Sequence, residues 1–143
     1  MQDAICFFCQ DVSFSLPDER ASSSWIAAVV REHGRSIHSI NYIFCSDAYL
    51  LELNRQHLSH DYLTDILTFP YQQDEQSPLF SDIYISIERV RDNASQLHIP
   101  FDEELHRVMI HGVLHLLGYN DHTEEEKAHM RQLENEALSR RKS

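Results

Sequence analysis

The sequence predicts an α/β (α+β) fold in which a small mixed β-sheet of about four strands packs with about five helices. Strand-like and helix-like hydrophobic patterns follow each other in the order β-α-β-α-β-β-α-α-α. The length of 143 residues suits one domain, and 42% hydrophobic with 24% charged residues is ordinary for a chain that buries an apolar core. We therefore expect residues 1–143 to form a single domain.

The first half of the chain is expected to supply two strands, each followed by a helix. Pro17, with acidic residues behind it, is typical of a helix start, and Gly34 is typical of a helix end. Ser46 or Asp47 can cap the second helix. The predicted elements are a strand at 5–14, a helix at 18–34, a strand at 36–46 and a helix at 48–58.

The second half is expected to contain two more strands and three helices. The strongest helical pattern of the chain covers 101–118, with an acidic first turn and Gly118 at its end. Thr123 and Glu126 have the spacing of a capping box, which marks the start of the last helix. The predicted elements are a short strand ending at Pro70, a polar loop at 72–78, a strand at 79–87, and helices at 88–97, 101–118 and 124–138.

The chain is strongly acidic, with a formal net charge of −11. This charge argues against broad, non-specific coating of nucleic acid or of an anionic membrane, because both need lysine and arginine. The N-terminal segment has no basic leader, and no stretch approaches the roughly 20 apolar residues of a membrane span. We therefore expect a cytoplasmic protein with neither a membrane nor DNA as its partner.

Two of the three cysteines form a CxxC sequence, "CFFC". Cys6 and Cys9 lie inside an apolar, β-prone run, whereas redox pairs of this spacing sit at the start of a helix. On a strand, an odd spacing points the two side chains to opposite faces. An odd number of cysteines without an export signal also favours reduced thiols. We expect strand packing here, not redox or metal chemistry.

Three histidines lie within the stretch "HGVLHLLGYNDH" at the end of the long predicted helix. His111 and His115 are four residues apart, so their side chains stack on one helix face within reach of one metal ion. Gly118 suits the left-handed backbone after a helix end, which lets the chain turn back and offer His122 to the same ion. A metal site at the C-terminal end of a central helix is therefore predicted.

The second glycine of this stretch, Gly112, is inside the helix and needs a different explanation. Glycine there costs roughly 1 kcal/mol relative to alanine, so a side chain must be excluded by another element or by a ligand. Gly112 also occupies the place of the glutamate in HExxH, which excludes that metalloprotease site. The proton acceptor must come from the metal's bound water or from a carboxylate elsewhere.

Three protein ligands leave one position of tetrahedral zinc open, which is the pattern of a catalytic site. The alternative is that these histidines serve packing or the surface, because ten histidines in one chain make chance pairs common. We expect the remaining seven histidines to be surface or partly buried residues. They are His33, His38, His57, His60, His98, His106 and His129.

The stretch "HGVLHLLGYNDH" resembles HGxLHLxGYDH, the signature of the YbeY family of bacterial zinc-dependent endoribonucleases. Two upstream segments support the resemblance. "LNRQHLSHDYLTDILTFPY" is similar to the family's LN…TDVLSFP segment, and "FSDIYISIERV" is similar to its GDIxIS segment. With the downstream helix, the resemblance covers residues from about 47 to 138 in the family's order.

The resemblance implies one zinc ion per chain, held by His111, His115 and a third residue, in a cleft between the sheet and the metal helix. It implies endonucleolytic cleavage of single-stranded RNA, maturation of the 3′ end of 16S rRNA and ribosome quality control. The implied partners are rRNA, the small ribosomal subunit and assembly factors. A metal-dependent hydrolase of another bond and a non-catalytic assembly protein with structural zinc are the alternatives.

The chain departs from the family pattern at two places that concern the site. "GYNDH" has one extra residue, so His122 comes eleven residues after His111 and Asp121 holds the family's spacing of ten. We favour His122 as the third ligand, because imidazole suits a three-histidine catalytic site, and keep Asp121 as the alternative. Leu58 stands where the family usually has an arginine, and leucine cannot bind phosphate.

Two carboxylates near predicted strand ends are candidate catalytic residues. Asp65 and Asp82 could hold a water molecule or orient a ligand histidine. Capping and turn formation are the alternative roles, and they are favoured for Asp82. For Asp65 the family's matching TD sequence keeps the catalytic role equally supported.

Overall fold

The computed structural model describes residues 4–58, without the side chain of Leu58, and residues 63–74 and 76–141. Within these ranges the helices and strands follow each other in the predicted order, which confirms the α/β class. The elements are β1 Ile5–Cys9, α1 Glu19–Glu32, β2 Ile37–Cys45, α2 Asp47–Leu58, β3 Ile66–Pro70, β4 Leu79–Ser86, α3 Ile87–Leu97, α4 Phe101–Leu116 and α5 Glu124–Ser139.

The four strands form one mixed sheet in the order β1-β2-β4-β3. Strands β1, β2 and β4 run parallel, and β3 pairs antiparallel with β4 at one edge. Ile40 lies opposite Ile5 on one side and Ser81 on the other. A short polar loop joins β3 to β4, which is enough for an antiparallel pair, whereas the parallel pairs need helical crossovers.

The apolar core lies between the sheet and helices α1 and α4. Alternate residues of β2 and β4 point into it, including Tyr42, Phe44, Ile83 and Ile85, all almost fully buried. The Tyr42 hydroxyl donates a hydrogen bond to the carbonyl of Met109 at 3.0 Å, which ties β2 to α4. Helix α2 covers part of the opposite sheet face.

The first strand is shorter than the sequence predicts, because it ends at Cys9 and not at Phe14. The Asp11 carboxylate accepts hydrogen bonds from the backbone N–H and hydroxyl of Ser46, at 2.9 and 2.6 Å. This pulls the chain away from the sheet toward the start of α2. Phe14 then packs edge-on against Phe44, with ring centroids 5.1 Å apart, so its hydrophobic side chain serves the core from a loop.

The cysteines are free thiols. Cys6 and Cys9 lie in β1 as predicted, but both are exposed and so contribute little to packing. Cys45 is buried, and burial, followed by the charges of Asp11 and Asp47, raises the pKa of its thiol to about 12. Within the described ranges, no helix combines the length and the apolar character that crossing a membrane requires.

Candidate metal centre

Helix α4 ends in a glycine turn that reverses the chain toward the histidine pair. Gly118 has a φ of 105°, a left-handed conformation that favours glycine. The N–H of Gly118 donates to the carbonyl of His115 at 3.0 Å, and that of Tyr119 donates to the carbonyl of Leu114 at 3.1 Å. These two bonds form a Schellman motif, which confirms the predicted helix stop.

Gly112 is required by the close approach of α4 to the sheet. A Cβ atom at this position would lie 2.9 Å from the Cδ1 atom of Ile66 and 3.5 Å from two side-chain carbons of Ile83. A side chain at this position is therefore excluded by another element of the fold, namely the neighbouring strands. The glycine lets the helix seat its metal-facing side next to β3 and β4.

Three side chains converge where α4 ends. The Nε2 atoms of His111 and His115 are 3.1 Å apart, and each lies 3.4 Å from Oδ2 of Asp121. Ligand atoms about 2.0–2.2 Å from a tetrahedral zinc ion are separated by about 3.3 Å, so this triangle fits one face of such a site. In the described part of the chain, these three residues form the group that could hold a metal ion.

His122, the third ligand expected from the sequence, lies outside this triangle. Its backbone N–H donates to Oε1 of Glu126 at 3.0 Å, and its side chain is exposed. The predicted capping box of Thr123 and Glu126 is confirmed, and it fixes His122 at the entrance of α5. The structure therefore brings Asp121, and not His122, to the histidine pair.

A buried carboxylate orients the first ligand histidine from behind. The Nδ1–H of His111 donates to Oε2 of Glu134 at 2.6 Å, and Glu134 is only 6% exposed. Its other oxygen accepts from Arg107 at 3.0 Å, and Arg107 also donates to Asn135 at 2.9 Å. With the proton held on Nδ1, the Nε2 lone pair of His111 is free to bind a metal ion.

The pKa values of His111 and His115 are shifted in opposite directions. Burial alone would lower the pKa of His111, but the hydrogen bond and charge of Glu134, with Asp121 and Asp65, raise it above its usual value. Burial and then the positive charge of His111 lower the pKa of His115. The hydrogen bonds from His111 and Arg107 outweigh burial and lower the pKa of Glu134, which keeps it ionised.

A cavity of about 270 Å³ opens beside the ligands, and His111 and Asp121 form part of its wall. Asp65 lines the same cavity, so the structure brings this candidate catalytic residue to the site. Burial raises the pKa of Asp65, although nearby His111 partly opposes the increase. The side chain of Leu58, where the family usually has an arginine, lies outside the described part of the structure.

Asp82, the other candidate carboxylate, faces away from the site. It lies between the core residues Ser81 and Ile83 of β4, so its side chain is on the opposite sheet face. There it accepts hydrogen bonds from the amide of Asn41 at 3.1 Å and from the hydroxyl of Tyr71 at 2.9 Å. A catalytic role for Asp82 stays a prediction that these contacts do not support.

The fold and the site together define a class: a small α/β domain with a candidate three-ligand metal centre at the end of a buried helix, open to a cavity. The family model described as Endoribonuclease YbeY matches residues 10–142. The chain therefore belongs to the YbeY family of endoribonucleases, as the resemblance of its motifs indicates.

Individual relatives match over nearly their whole length. The Endoribonuclease YbeY of Flavobacterium psychrophilum is 47% identical over 131 residues, which are 92% of each chain. That of Cytophaga hutchinsonii is 45% identical and covers 99% of this chain and 98% of its own. The solution structure of TM1509 from Thermotoga maritima is similar with a TM-score of 0.65 and 25% identity, over 94% of this chain and 89% of that one.

Proposed function

We propose that this chain is a zinc-dependent endoribonuclease that cleaves single-stranded RNA in the cytoplasm, where it matures the 3′ end of 16S rRNA and acts in ribosome quality control. The observation that carries the proposal is the triangle of His111, His115 and Asp121 beside a cavity. Membership of the YbeY family supports the choice of RNA as substrate.

His111, His115 and Asp121 are the residues that would hold the ion, since imidazole nitrogen and carboxylate oxygen are both ligands of zinc. When bound, zinc stabilises negative charge that builds up on a phosphoryl oxygen and lowers the pKa of a coordinated water. Glu134 fixes the tautomer of His111 and so holds its Nε2 toward the ligand triangle.

Asp65 is the proposed proton carrier of the site. Its carboxyl group lines the cavity, and burial raises its pKa. A raised pKa makes the carboxylate a better proton acceptor. Asn93 donates a hydrogen bond to Oδ2 of Asp65 at 3.3 Å and so restrains its orientation. Asp65 can therefore take a proton from an attacking hydroxyl or return one to a leaving oxygen.

Metal analysis combined with RNA cleavage tests the proposal. We expect about one zinc ion per chain, cleavage of precursor 16S rRNA that a chelator abolishes, and loss of both in His111→Ala. His33→Ala is a matched control, because His33 is the C-cap residue of α1 and contacts Tyr119, not the ligand triangle. Cleavage that persists in the metal-free protein would contradict the proposal. If the protein cleaves no RNA with or without metal, and metal removal lowers its melting temperature, structural zinc is favoured instead.

The third ligand can be assigned with two neighbouring variants. We expect Asp121→Ala to lose bound zinc and His122→Ala to keep it, because only Asp121 lies 3.4 Å from both imidazoles. The two changes remove adjacent side chains in the same turn, so each is a control for the other. The opposite result would restore the assignment made from the sequence.

The acidic surface leads us to propose that the ribosome delivers the substrate. A net charge of −11 gives little intrinsic attraction to RNA phosphates. We therefore expect faster cleavage of precursor rRNA within small-subunit particles than of the same RNA when naked. Equal cleavage of both, insensitive to salt, would count against delivery by the particle or by assembly factors.

A further inference from the structure

The cavity extends well beyond the metal ligands. Glu104 and His111 both line it and lie seven residues apart on α4, a rise of about 10 Å. The metal site accounts for one end of this space. Nothing in the ligand triangle accounts for Glu104 at the other end.

Glu104 is a buried carboxyl group with an unused acceptor. Its side chain lines the cavity, and the residue is only 6% exposed. Among the residues that the structure describes, none donates a hydrogen bond to its Oε1 atom. Burial, followed by the charge of Asp65, raises its pKa. A buried acceptor without a donor is unfavourable in the folded protein, so a ligand that supplies N–H groups would relieve a cost already present.

Asp65 shares this cavity with Glu104. It reaches the cavity from the residue before β3, whereas Glu104 comes from the first turn of α4. The two carboxyl groups interact strongly enough for the charge of Asp65 to raise the pKa of Glu104. Asn93 already donates to Oδ2 of Asp65, the proposed proton carrier, so Glu104 is the carboxylate that is left to accept donors from a ligand edge.

The walls of the cavity suit a flat, weakly polar ring. Apolar side chains come from four elements, namely Ile66, Leu97, Val108 and Met130. The volume of about 270 Å³ is just below the range of roughly 300–1,000 Å³ of sites for drug-sized ligands, so it holds one ring system and not a stretch of polymer. Lys127 and Arg131 also line the cavity and supply positive charge for a neighbouring phosphate.

We propose that this cavity binds a single nucleobase of the RNA, with Glu104 recognising N–H donors on its Watson–Crick edge and guanine preferred. Guanine presents a ring N–H and an amino group side by side, which a carboxylate accepts together. Uracil presents one N–H between two carbonyl oxygens, which would face the carboxylate. The inference rests on the proposed ribonuclease function and specifies the substrate position next to the metal.

Binding of nucleoside 5′-monophosphates to the full chain tests the subsite without any cleavage. We expect the zinc-loaded protein to bind guanosine monophosphate about tenfold more tightly than uridine monophosphate in calorimetric titrations. Inosine monophosphate, which lacks only the guanine amino group, should lie between them. The phosphate is common to all three probes, so its attraction to the metal and the cations cancels from the comparison.

Glu104→Gln should remove most of the preference, because an amide offers a carboxylate's shape without its second acceptor. We expect guanosine monophosphate to bind this variant about tenfold more weakly, with uridine monophosphate almost unchanged. Glu103→Gln is the matched control, since it makes the same charge change one residue away at an exposed position. Should Glu104→Gln fail to fold, Glu104→Asp tests the same preference, because it withdraws the carboxylate by one methylene group while keeping its charge.

Equal binding of the guanine and uracil nucleotides, or a preference that survives both substitutions, would overturn the proposal. So would stoichiometric binding of Mg²⁺ that depends on Glu104, because it would make the two carboxylates a cation site. A guanine preference in a protein that cleaves no RNA would leave the subsite standing and refute the proposed function. Cleavage without any base preference in binding would do the reverse.

Discussion

Helix α4 carries histidines in two regions whose surroundings shift the pKa of the side chain in opposite directions. On the side facing α1, His106 is 1% exposed and lies edge-on to Trp25, with ring centroids 5.6 Å apart. Its Nδ1–H donates to the carbonyl of Asp102 at 2.8 Å, so its Nε2 accepts from the hydroxyl of Ser22, also at 2.8 Å. Both ring nitrogens bond to neutral groups. The Asp102 carboxylate lies farther away, 3.4 Å from Nδ1, and burial outweighs its charge and lowers the pKa of His106.

On the side facing α5, His111 is hydrogen-bonded directly to a carboxylate. Glu134 takes its Nδ1–H, and Asp121 lies 3.4 Å from its Nε2. These charges raise its pKa despite burial. The partner atoms, and not the residue type or the helix, therefore decide whether a histidine is part of the core or a candidate metal ligand. The expectation that His106 is a surface or partly buried residue is wrong for that reason.

Removing the second ligand histidine should change the metal-facing region strongly and leave the rest of the fold intact. We expect His115→Ala to weaken zinc binding about a hundredfold or more, since even the loss of a residue behind a ligand costs 10–100-fold. The free energy of unfolding of the metal-free protein should change by less than about 1 kcal/mol, because His115 is partly exposed. Competition with a zinc chelator and urea unfolding measure the two quantities. An unchanged zinc affinity would remove the distinction between the regions.

The reverse pattern is expected at the core-facing histidine. His106→Ala should lower the free energy of unfolding by about 2–4 kcal/mol, because it leaves a cavity beside Trp25 and a buried Ser22 hydroxyl without its partner. Zinc affinity should stay within about twofold of the wild type. A large loss of zinc affinity in a variant that remains folded would show that the two helix faces are coupled.

A smaller effect tests the residue that distinguishes the environment of His111. Glu134→Gln should weaken zinc binding by about 10–100-fold, because the amide no longer supports the His111 imidazole with a full negative charge. Glu136→Gln, an exposed change of the same kind on α5, is the control. Equal zinc affinities of these two variants would mean that Glu134 only packs against the histidine.

The smallest effect is a difference in pH dependence, measured on the chelator-treated protein. Because the pKa of His106 is lowered, only the unfolded chain binds its proton just below about pH 6.5, so stability falls as pH decreases through that value. Because the pKa of His111 is raised, its contribution is complete below about pH 6.5 and is lost as pH rises through the folded-state pKa.

His106→Gln should therefore flatten the stability profile on the acidic side, and His111→Gln should flatten it on the neutral side. Urea midpoints between pH 5 and 8 measure both profiles, and their shapes matter more than their heights. Parallel profiles for both variants and the wild type would contradict the assigned protonation states.

The order of strands and helices was predictable because it depends on local signals. These signals are the hydrophobic periodicity, the capping box at Thr123 and the glycine stop at Gly118. Each of them depends only on residues that are close together in the sequence. The same signals predicted the histidine pair of the site. The early end of β1 was not predictable, because it depends on Asp11 bonding to Ser46, 35 residues away.

The remainder of the site depends on contacts between separate helices. Glu134 follows His111 by 23 residues. It is one of the 23 acidic residues of the chain, and nothing in the sequence distinguishes it from the others. A ligand histidine is expected to donate its other N–H to a carboxylate, but the sequence does not identify that carboxylate. Asp121 and His122 are adjacent, and only the path of the turn after Gly118 decides which one reaches the pair.

The close approach at Gly112 also determines which residues control the width of the cavity. The helix rests directly on Ile66 and Ile83, so the bulk of these two residues determines how far α4 stands from the strands. His111 belongs to the helix and Asp65 to the sheet edge, and both line the cavity between them. A change at Ile83, which is fully buried, would therefore widen or narrow the space offered to a nucleotide without altering any group that touches it.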